Sequence, residues 1–371
     1  MKTVPFIDLK PTLRHLGEDK ILHEWKQALE NCEFVGGPAV AEVERQLSDQ
    51  CGVAFPVTCA NGTDALILAL QAINIGRDAK VALPNLTFWA SYEAVHHVGA
   101  QPILLDSNPR DLQLSFEELK KAHEKWGLDA VVLVHLFGWC SSELRELRDF
   151  CKSEGIKIVD DAAQAFGVEY LGESVLKGAE RSTLSFYPAK VVGAAGDAGA
   201  VLLQNEAEAK IVRSLANHGR SDHYSYAHVG WNSRLSGLQA RYLREVLKHS
   251  SEIIESRRAA LTLYQDRLQS LKGLSFVGAP EGQKGNAYLC VLRLPSEKRS
   301  AFMGALRDNG VGCMNTYPET MVRQPAAKQA WSLTAMPESE RFTKEVVNLP
   351  LYSFMNLEDV SYVCDVVEKI L

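Results

Sequence analysis

The feature that most constrains the fold is an alternation of short apolar runs with helix-length segments between about residues 55 and 204. This alternation predicts a mainly parallel sheet with helices on both faces, because strands that are buried on both sides are apolar throughout. The predicted strands cover residues 55–59, 80–83, 102–105, 130–135, 157–159, 183–186 and 200–203.

The pattern changes in the C-terminal third of the chain. Residues 234–271 predict one long helix or two joined helices, and sparser strands and two further helices follow. We therefore expect an α/β fold with a large domain over residues 1–250 and a smaller α+β domain over residues 251–371. Residues 319–340 are the best candidate for a long loop.

Composition and charge exclude several classes of protein. The chain of 371 residues carries a net charge of −6, which gives no electrostatic case for nucleic-acid binding. It contains no apolar run of the roughly 18 residues that span a bilayer, and its first residues lack the apolar stretch of a signal peptide. The eight cysteines are scattered without paired spacing, so we expect free thiols in a reducing cytoplasm. No His, Asp or Glu cluster has metal-ligand spacing, and we expect no catalytic metal.

Two motifs lie where predicted strands end, which is where α/β sheets place their sites. At Asn61-Gly62-Thr63 a strand gives way to a helix, so backbone N–H groups and the Thr63 hydroxyl can face an anion. Taken alone, this motif is more typical of an ordinary helix cap. At Asp160-Asp161 a buried strand delivers two carboxylates, one of which could pair with a protonated ring nitrogen, bind a metal or cap a helix.

A third motif adds an amine. Ser185 ends a strand, Lys190 follows in a loop, and the glycine-rich segment 193–199 can fold tightly around that loop. A lysine in such a loop is usually a surface residue. Together, however, the three motifs supply a phosphate cradle, a carboxylate and an amine. Pyridoxal phosphate (PLP) needs this set, because it has a phosphate, a ring nitrogen that pairs with an acid, and an aldehyde.

The ordered motifs resemble those of the DegT/DnrJ/EryC1/StrS sugar aminotransferases, which have the fold-type I aminotransferase architecture. The likeness covers nearly the whole chain. It includes Phe6-Ile7-Asp8-Leu9, Phe34-Val35-Gly36-Gly37-Pro38, Asn61-Gly62-Thr63-Asp64-Ala65, Pro84-Asn85-Leu86-Thr87-Phe88, Asp161-Ala162-Ala163-Gln164, Ser185-Phe186-Tyr187-Pro188-Ala189-Lys190, Asn217-His218-Gly219, Asn232-Ser233-Arg234-Leu235 and Leu349-Pro350-Leu351-Tyr352.

The resemblance implies a role for each cofactor residue. Lys190 would hold PLP through a Schiff base, the amino donor would convert PLP to its amine form PMP, and Asp161 would keep the ring nitrogen protonated. Asn232 would reach the phosphate from a second subunit, which implies a homodimer with shared sites. The remaining implied contacts are Gln164 to the phenolic oxygen, Phe88 and Ala163 to the two ring faces, and Gly62, Thr63 and Ser185 to the phosphate.

The implied reaction transfers an amino group from an amino acid, which the same resemblance gives as glutamate, to a keto group of a nucleotide-linked sugar. Such amino sugars serve polysaccharide or antibiotic biosynthesis in that family.

The candidate substrate residues are Tyr317, Arg220 and Trp89. Arg220 also suits a surface loop, and Trp89 also suits core packing. The sequence departs from the family at Thr316, where histidine is usual, in a segment expected near the substrate.

Two other functions stay open. A PLP- or PMP-dependent sugar dehydratase resembles this family, but its members carry histidine at the position of Lys190. A non-catalytic regulatory protein could use the same fold without turnover.

For His135, which ends a predicted strand near the motifs, both a structural role and an acid–base role remain possible.

Overall fold

A computed structural model describes residues 2–333 and 336–371 of the chain. Its α-helices are α1 (Lys10–Leu16), α2 (Glu18–Glu30), α3 (Pro38–Cys51), α4 (Gly62–Ala72), α5 (Trp89–His97), α6 (Phe116–Trp126), α7 (Leu144–Glu154), α8 (Glu206–Ala216), α9 (Gly237–Lys248), α10 (Ser250–Leu268), α11 (Ser296–Asp308), α12 (Pro337–Glu345) and α13 (Leu357–Ile370). None of the helices in this described part is long and apolar enough to cross a membrane.

The strands are short and alternate with the helices through the first two thirds of the chain. They are β1 (Phe55–Cys59), β2 (Lys80–Pro84), β3 (Gln101–Leu105), β4 (Ala130–Val134), β5 (Lys157–Asp161), β6 (Glu169–Tyr170), β7 (Glu173–Ser174), β8 (Arg181–Ser185), β9 (Gly199–Leu203), β10 (Ser275–Val277), β11 (Gln283–Lys284), β12 (Cys290–Arg293), β13 (Trp331–Ser332) and β14 (Val346–Leu349). Each of the seven predicted strands is present, and its ends differ from the prediction by at most two residues.

An eight-stranded sheet with the order β1-β9-β8-β5-β4-β2-β3-β13 forms the centre of the molecule. Only β9 runs against its neighbours, β1 and β8. The other neighbouring strands pair in parallel, which confirms the predicted, mainly parallel sheet. All residues of β4 and β9 are buried, as expected for strands covered on both faces.

Two apolar clusters cover the two faces of this sheet. One contains residues of α3, α6, α7 and α9, and the other contains residues of α4, α5 and α8. Helix α4 is apolar on nearly all sides, and its residues 65–70 are all buried. A helix of that composition suits the interior, so the start of α4 is held firmly against the sheet.

A second sheet lies in the C-terminal part of the chain. Strands β10, β12 and β14 pair antiparallel, and α10, α11 and α13 pack with them around a third apolar cluster. His249 separates α9 from α10, so the predicted helical region 234–271 consists of two joined helices. The division into domains at about residue 250 stays a prediction.

The predicted long loop at residues 319–340 is wrong for the part that the structure describes. Short 3₁₀ turns occupy Met321–Arg323 and Pro325–Ala327, β13 follows, and α12 begins at Pro337. Strand β13 pairs in parallel with β3 at the edge of the main sheet. This pairing joins distant parts of the chain, and so no local pattern could reveal it. Two residues of the predicted loop, 334 and 335, lie outside the described residues.

Candidate active site

A cavity of about 1100 Å³ opens where the strands of the main sheet end. The segments that follow β1, β2, β4, β5 and β8 all contribute to its wall, because parallel strands present their carboxyl ends at one edge. Every predicted cofactor residue except Asn232 lines this cavity. These residues are Gly62, Thr63, Phe88, Asp161, Ala163, Gln164, Ser185 and Lys190, and the predicted substrate residue Tyr317 lies with them.

The start of α4 forms an anion cradle in the cavity wall. Asn61 caps the helix, and its Oδ1 accepts a hydrogen bond of 2.8 Å from the backbone N–H of Asp64. A Cβ atom at Gly62 would lie only 2.7 Å from Cβ of Ser185, so a side chain at position 62 would push the helix away from β8. The free N–H groups of the first turn, together with the Thr63 and Ser185 hydroxyls, suit a phosphate.

The amine of Lys190 is presented by a tight turn after β8. The backbone N–H of Lys190 donates to the carbonyl of Tyr187 at 2.8 Å. The glycine-rich segment folds back on this turn, and a Cβ atom at Gly193 would lie 2.5 Å from the carbonyl oxygen of Pro188. Nζ of Lys190 lies 5.1 Å from the ring centre of Tyr288, within the range of a cation–π contact. An aromatic ring from the C-terminal part of the chain therefore supports the lysine.

The carboxylate of Asp161, at the end of β5, is buried and held by two donors. Its Oδ2 accepts a hydrogen bond of 2.7 Å from the Ser91 hydroxyl, and its Oδ1 accepts one of 3.2 Å from the backbone N–H of Ala163. The Thr87 hydroxyl lies 2.9 Å from that of Ser91. The orientation of Asp161 is thus fixed from two sides. Sequence reasoning missed Ser91, whose only local signal is its place in the first turn of α5 behind the Thr87-Phe88 motif.

The neighbouring carboxylate, Asp160, serves the core. Its Oδ1 lies 2.8 Å from Nε2 of His135 and accepts a hydrogen bond of 2.9 Å from Arg148. Burial by itself raises the pKa of Asp160, but Arg148 and His135 outweigh burial and hold that pKa below its ordinary value. Adjacent side chains on a strand point to opposite faces, so the two carboxylates have separate partners. The contact with Asp160 favours the structural role for His135.

Gln164 and Tyr317 form a polar pair beside the carboxylate. Oε1 of Gln164 accepts a hydrogen bond of 2.6 Å from the backbone N–H of Phe137, and its Nε2 donates to the Tyr317 hydroxyl at 3.0 Å. Burial raises the pKa of Tyr317, so its hydroxyl is neutral over the physiological range. The ring centre of Phe88 lies 6.0 Å from that of Tyr317, and 56% of Phe88 is exposed, which leaves an aromatic face free for a planar ligand.

The structure places three predicted residues outside the cavity wall. The ring of Trp89 stacks on Tyr92 at 4.7 Å between centres and packs against the apolar cluster, which favours its core-packing interpretation. Arg220 is exposed, with its guanidinium 5.9 Å from the ring of Tyr226. Asn232 is also exposed, and its Oδ1 accepts a hydrogen bond of 2.5 Å from Arg234. Roles for these three in binding substrate or a second subunit stay predictions.

Arg257 is a further residue that the sequence did not reveal. It is buried in α10, where its Nε donates to the carbonyl of Ala287 at 2.9 Å, and its Nη2 donates to the carbonyls of Tyr288 at 2.7 Å and Leu351 at 3.0 Å. Burial lowers the pKa of Arg257 to about 10, which still leaves it charged at neutral pH. Arg257 therefore fixes the segment that carries Tyr288 beneath Lys190. No local motif joins these positions.

Comparison with known proteins agrees with this arrangement. Residues 16–368 match the sequence profile described as the DegT/DnrJ/EryC1/StrS aminotransferase family. The chain is 30% identical to the UDP-2-acetamido-2-deoxy-3-oxo-D-glucuronate aminotransferase of Pseudomonas aeruginosa, over 97% of this chain and 98% of that protein. It is 31% identical to the UDP-N-acetyl-3-dehydro-alpha-D-glucosamine 3-aminotransferase of Acidithiobacillus ferrooxidans, over 99% and 98% of the two chains.

A solved structure shows the same likeness in three dimensions. The X-ray structure of DesV from S. venezuelae in complex with a ketimine intermediate matches with a TM-score of 0.94 and 30% identity, over 100% of this chain and 98% of that chain. The resemblance and the fold class that the motifs predict are both confirmed.

Proposed function

This chain belongs to the DegT/DnrJ/EryC1/StrS aminotransferase family, and from that premise we propose that it moves an amino group from glutamate to a keto group of a nucleotide-linked sugar. The names of the relatives, which act on UDP-linked 3-oxo and 3-dehydro sugars, support this substrate class. The observation that carries the proposal is that Lys190, Asp161 and the start of α4 line one cavity.

The residues of this cavity fit pyridoxal phosphate. The helix start with Thr63 and Ser185 would hold its phosphate, and the buried carboxylate of Asp161 would pair with its ring nitrogen. Phe88 would lie against its ring, and Lys190 supplies the amine for its aldehyde. When bound, this group supplies the electron sink that stabilises a substrate carbon after it loses a proton.

The side chains of the cavity have separate roles in the proposed reaction. The Lys190 amine, once replaced by the amine of the substrate, is placed to carry the proton at the reacting carbon, and Tyr288 limits where that amine can move. Asp161, whose orientation is fixed by Ser91 and Ala163, would pair with the protonated ring nitrogen of PLP. The neutral Tyr317 hydroxyl remains a candidate contact for the substrate.

We also propose a homodimer in the cytoplasm. The segment that carries Asn232 exposes large apolar side chains, with Val229 95% and Tyr224 84% exposed, as is typical of protein–protein contacts. In a dimer this segment would bring Asn232 to the phosphate of the second site. The cytoplasmic location is supported by the eight cysteines, which are all free.

One assay separates this function from its two alternatives. The purified protein is incubated with PLP, glutamate and a panel of UDP- and dTDP-linked keto sugars, and the sugar products are identified by mass spectrometry. An aminated sugar supports the proposal. A deoxygenated sugar would instead identify a dehydratase, against which Lys190 already argues. Retention of PLP without any turnover of the panel would favour a regulatory protein.

A further inference from the structure

We propose that His15, His249 and Glu252 form a binding site for a divalent metal ion, with Zn²⁺ as the best match. Each residue offers one ligand atom, and these atoms all lie within 4.8 Å of one another. None of the three lines the cavity described above, so the site stands apart from the proposed chemistry. His15 and Glu252 are 237 positions apart in the chain, and sequence spacing therefore could not reveal the group.

The ligand atoms lie near enough to one another to close on a zinc ion after small side-chain movements. Nε2 of His15 lies 2.6 Å from Oε2 of Glu252, and Nδ1 of His249 lies 3.3 Å from Oε1 of the same carboxylate. Tetrahedral zinc with bonds of roughly 2.0–2.2 Å holds its ligand atoms about 3.3–3.5 Å apart. His249 and Glu252 already have this spacing. The distance between His15 and Glu252 needs to lengthen slightly, and the exposed side chain of Glu252 can move to allow this.

The two imidazoles are held in place before any metal binds. The ring of His15 stacks on Phe354 with 4.0 Å between centres and 20° between planes. The ring of His249 meets the edge of His15 at 5.2 Å and 88°. His249 itself occupies the short joint between α9 and α10, and Glu252 lies in the first turn of α10. Fixed ligands lose less conformational entropy on binding, which raises affinity.

The ligand set selects the ion. Two imidazoles and one carboxylate, with a fourth position open to water, suit Zn²⁺, whereas Mg²⁺ and Ca²⁺ prefer oxygen ligands alone.

A metal here would stabilise one wall of the cavity. His15 lies near the end of α1, and Lys10, Thr12 and Leu13 of this helix line the cavity. The metal would connect α1 to the joint between α9 and α10. We therefore expect zinc to slow amide hydrogen exchange in α1 as well as to raise the melting temperature of the whole chain.

The test is a zinc titration of chelator-treated, full-length protein by calorimetry and thermal melting. One Zn²⁺ should bind per chain, and saturating zinc should raise the melting temperature by about 2 °C or more. His249→Ala and Glu252→Gln should each weaken zinc binding by about tenfold or more, since each removes one of three protein ligands. Mg²⁺ should produce neither effect.

His123→Ala is the matched control. His123 Nε2 lies 3.5 Å from Glu154 Oε2 in another surface histidine–glutamate pair, and the group around His15 is the only potential three-ligand cluster in the described part of the chain. The His123 variant should bind zinc as the wild type does. The proposal is overturned if His249→Ala and Glu252→Gln retain wild-type affinity, or if the wild type binds no zinc at submillimolar concentrations; the cluster would then be a plain ion pair. Aminotransferase activity enters neither outcome.

Discussion

The sheet side of the cavity and the loop at residues 217–232 differ in how their functional side chains are held. At the sheet, Asp161 and Gln164 are buried, and each has two hydrogen-bond partners, at least one of which is distant in the chain. In the loop, residues 220–229 are all exposed, and Asn232 bonds with a residue two positions along the chain. The sheet side of the cavity is therefore fixed by contacts within one chain, whereas the loop is exposed and free to contact another molecule.

Replacement of Lys190 tests the sheet side with the largest expected effect. Lys190→Ala should lower kcat for transamination on the order of 10³-fold or more, because it removes both the amine that bonds the cofactor and the proton carrier. Lys210→Ala, which alters an exposed lysine paired with Glu206, should leave kcat unchanged. Steady-state kinetics of both variants give the two kcat values for comparison with the wild type. Wild-type turnover by Lys190→Ala would contradict the assignment.

The adjacent carboxylates offer a sharper contrast. Asp161→Asn should lower kcat by about 10²–10³-fold with little change in stability, because it weakens charge stabilisation in the site. Asp160→Ala should lower the free energy of unfolding by about 3–5 kcal/mol, because it leaves Arg148 without its buried partner. Chemical denaturation and kinetics of both variants measure the two effects. The division of roles fails if the variants exchange these phenotypes.

The depressed pKa of Asp160 adds a pH dependence. A carboxyl whose pKa is lower in the folded state than in the unfolded state stabilises the fold above its unfolded pKa of about 3.9, and this contribution is lost as the pH falls through the folded value. The wild type should therefore lose stability below about pH 4 more steeply than Asp160→Asn does. Denaturation midpoints of the wild type and Asp160→Asn, measured across acidic pH, give the comparison. Parallel curves would show that Asp160 does not contribute to the pH dependence of stability.

A smaller effect is expected from Ser91→Ala. Removal of the hydroxyl that donates to Asp161 should lower kcat roughly tenfold while the KM for both substrates stays close to the wild-type value. Ser182→Ala is a suitable control, because Ser182 is buried on the neighbouring strand and its hydroxyl has no hydrogen-bond partner in the described part of the chain. Ser91→Ala should therefore have a clearly lower kcat than Ser182→Ala. Equal kcat values would leave Ser91 with no part in orienting Asp161.

The loop side gives the smallest effect in a single variant and the clearest one in a mixture. Asn232→Ala should weaken PLP binding only several-fold, because the helix start and Ser185 still hold the phosphate. When Asn232→Ala chains are unfolded and refolded with an excess of Lys190→Ala chains, activity per intact Lys190 at subsaturating PLP should exceed that of Asn232→Ala alone. The reason is that, in a mixed dimer, the site that holds Lys190 receives Asn232 from the other chain. No gain in activity would place Asn232 outside the partner's site.

Much of the sheet side could be predicted from sequence, for a physical reason. Apolar runs indicate buried strands, and parallel strands have their carboxyl ends at one edge of the sheet. Residues at strand ends, such as Ser185 and Asp161, therefore lie close together whatever path the chain takes between them. The contacts of Tyr288 with Lys190, and of Ser91 with Asp161, depend on packing between elements distant in sequence, which no local pattern records. The stacking of Trp89 on Tyr92 is likewise a packing contact, and the sequence left both interpretations of Trp89 open.

The most direct test of the central claim asks which lysine bonds the cofactor. The PLP-loaded protein is reduced with borohydride, digested, and searched by mass spectrometry for the peptide that carries a pyridoxyl group. We predict the group on Lys190, where the turn after β8 presents the amine over Tyr288. A pyridoxyl group on another lysine, with Lys190 unmodified in protein that retains PLP, would contradict the proposed site.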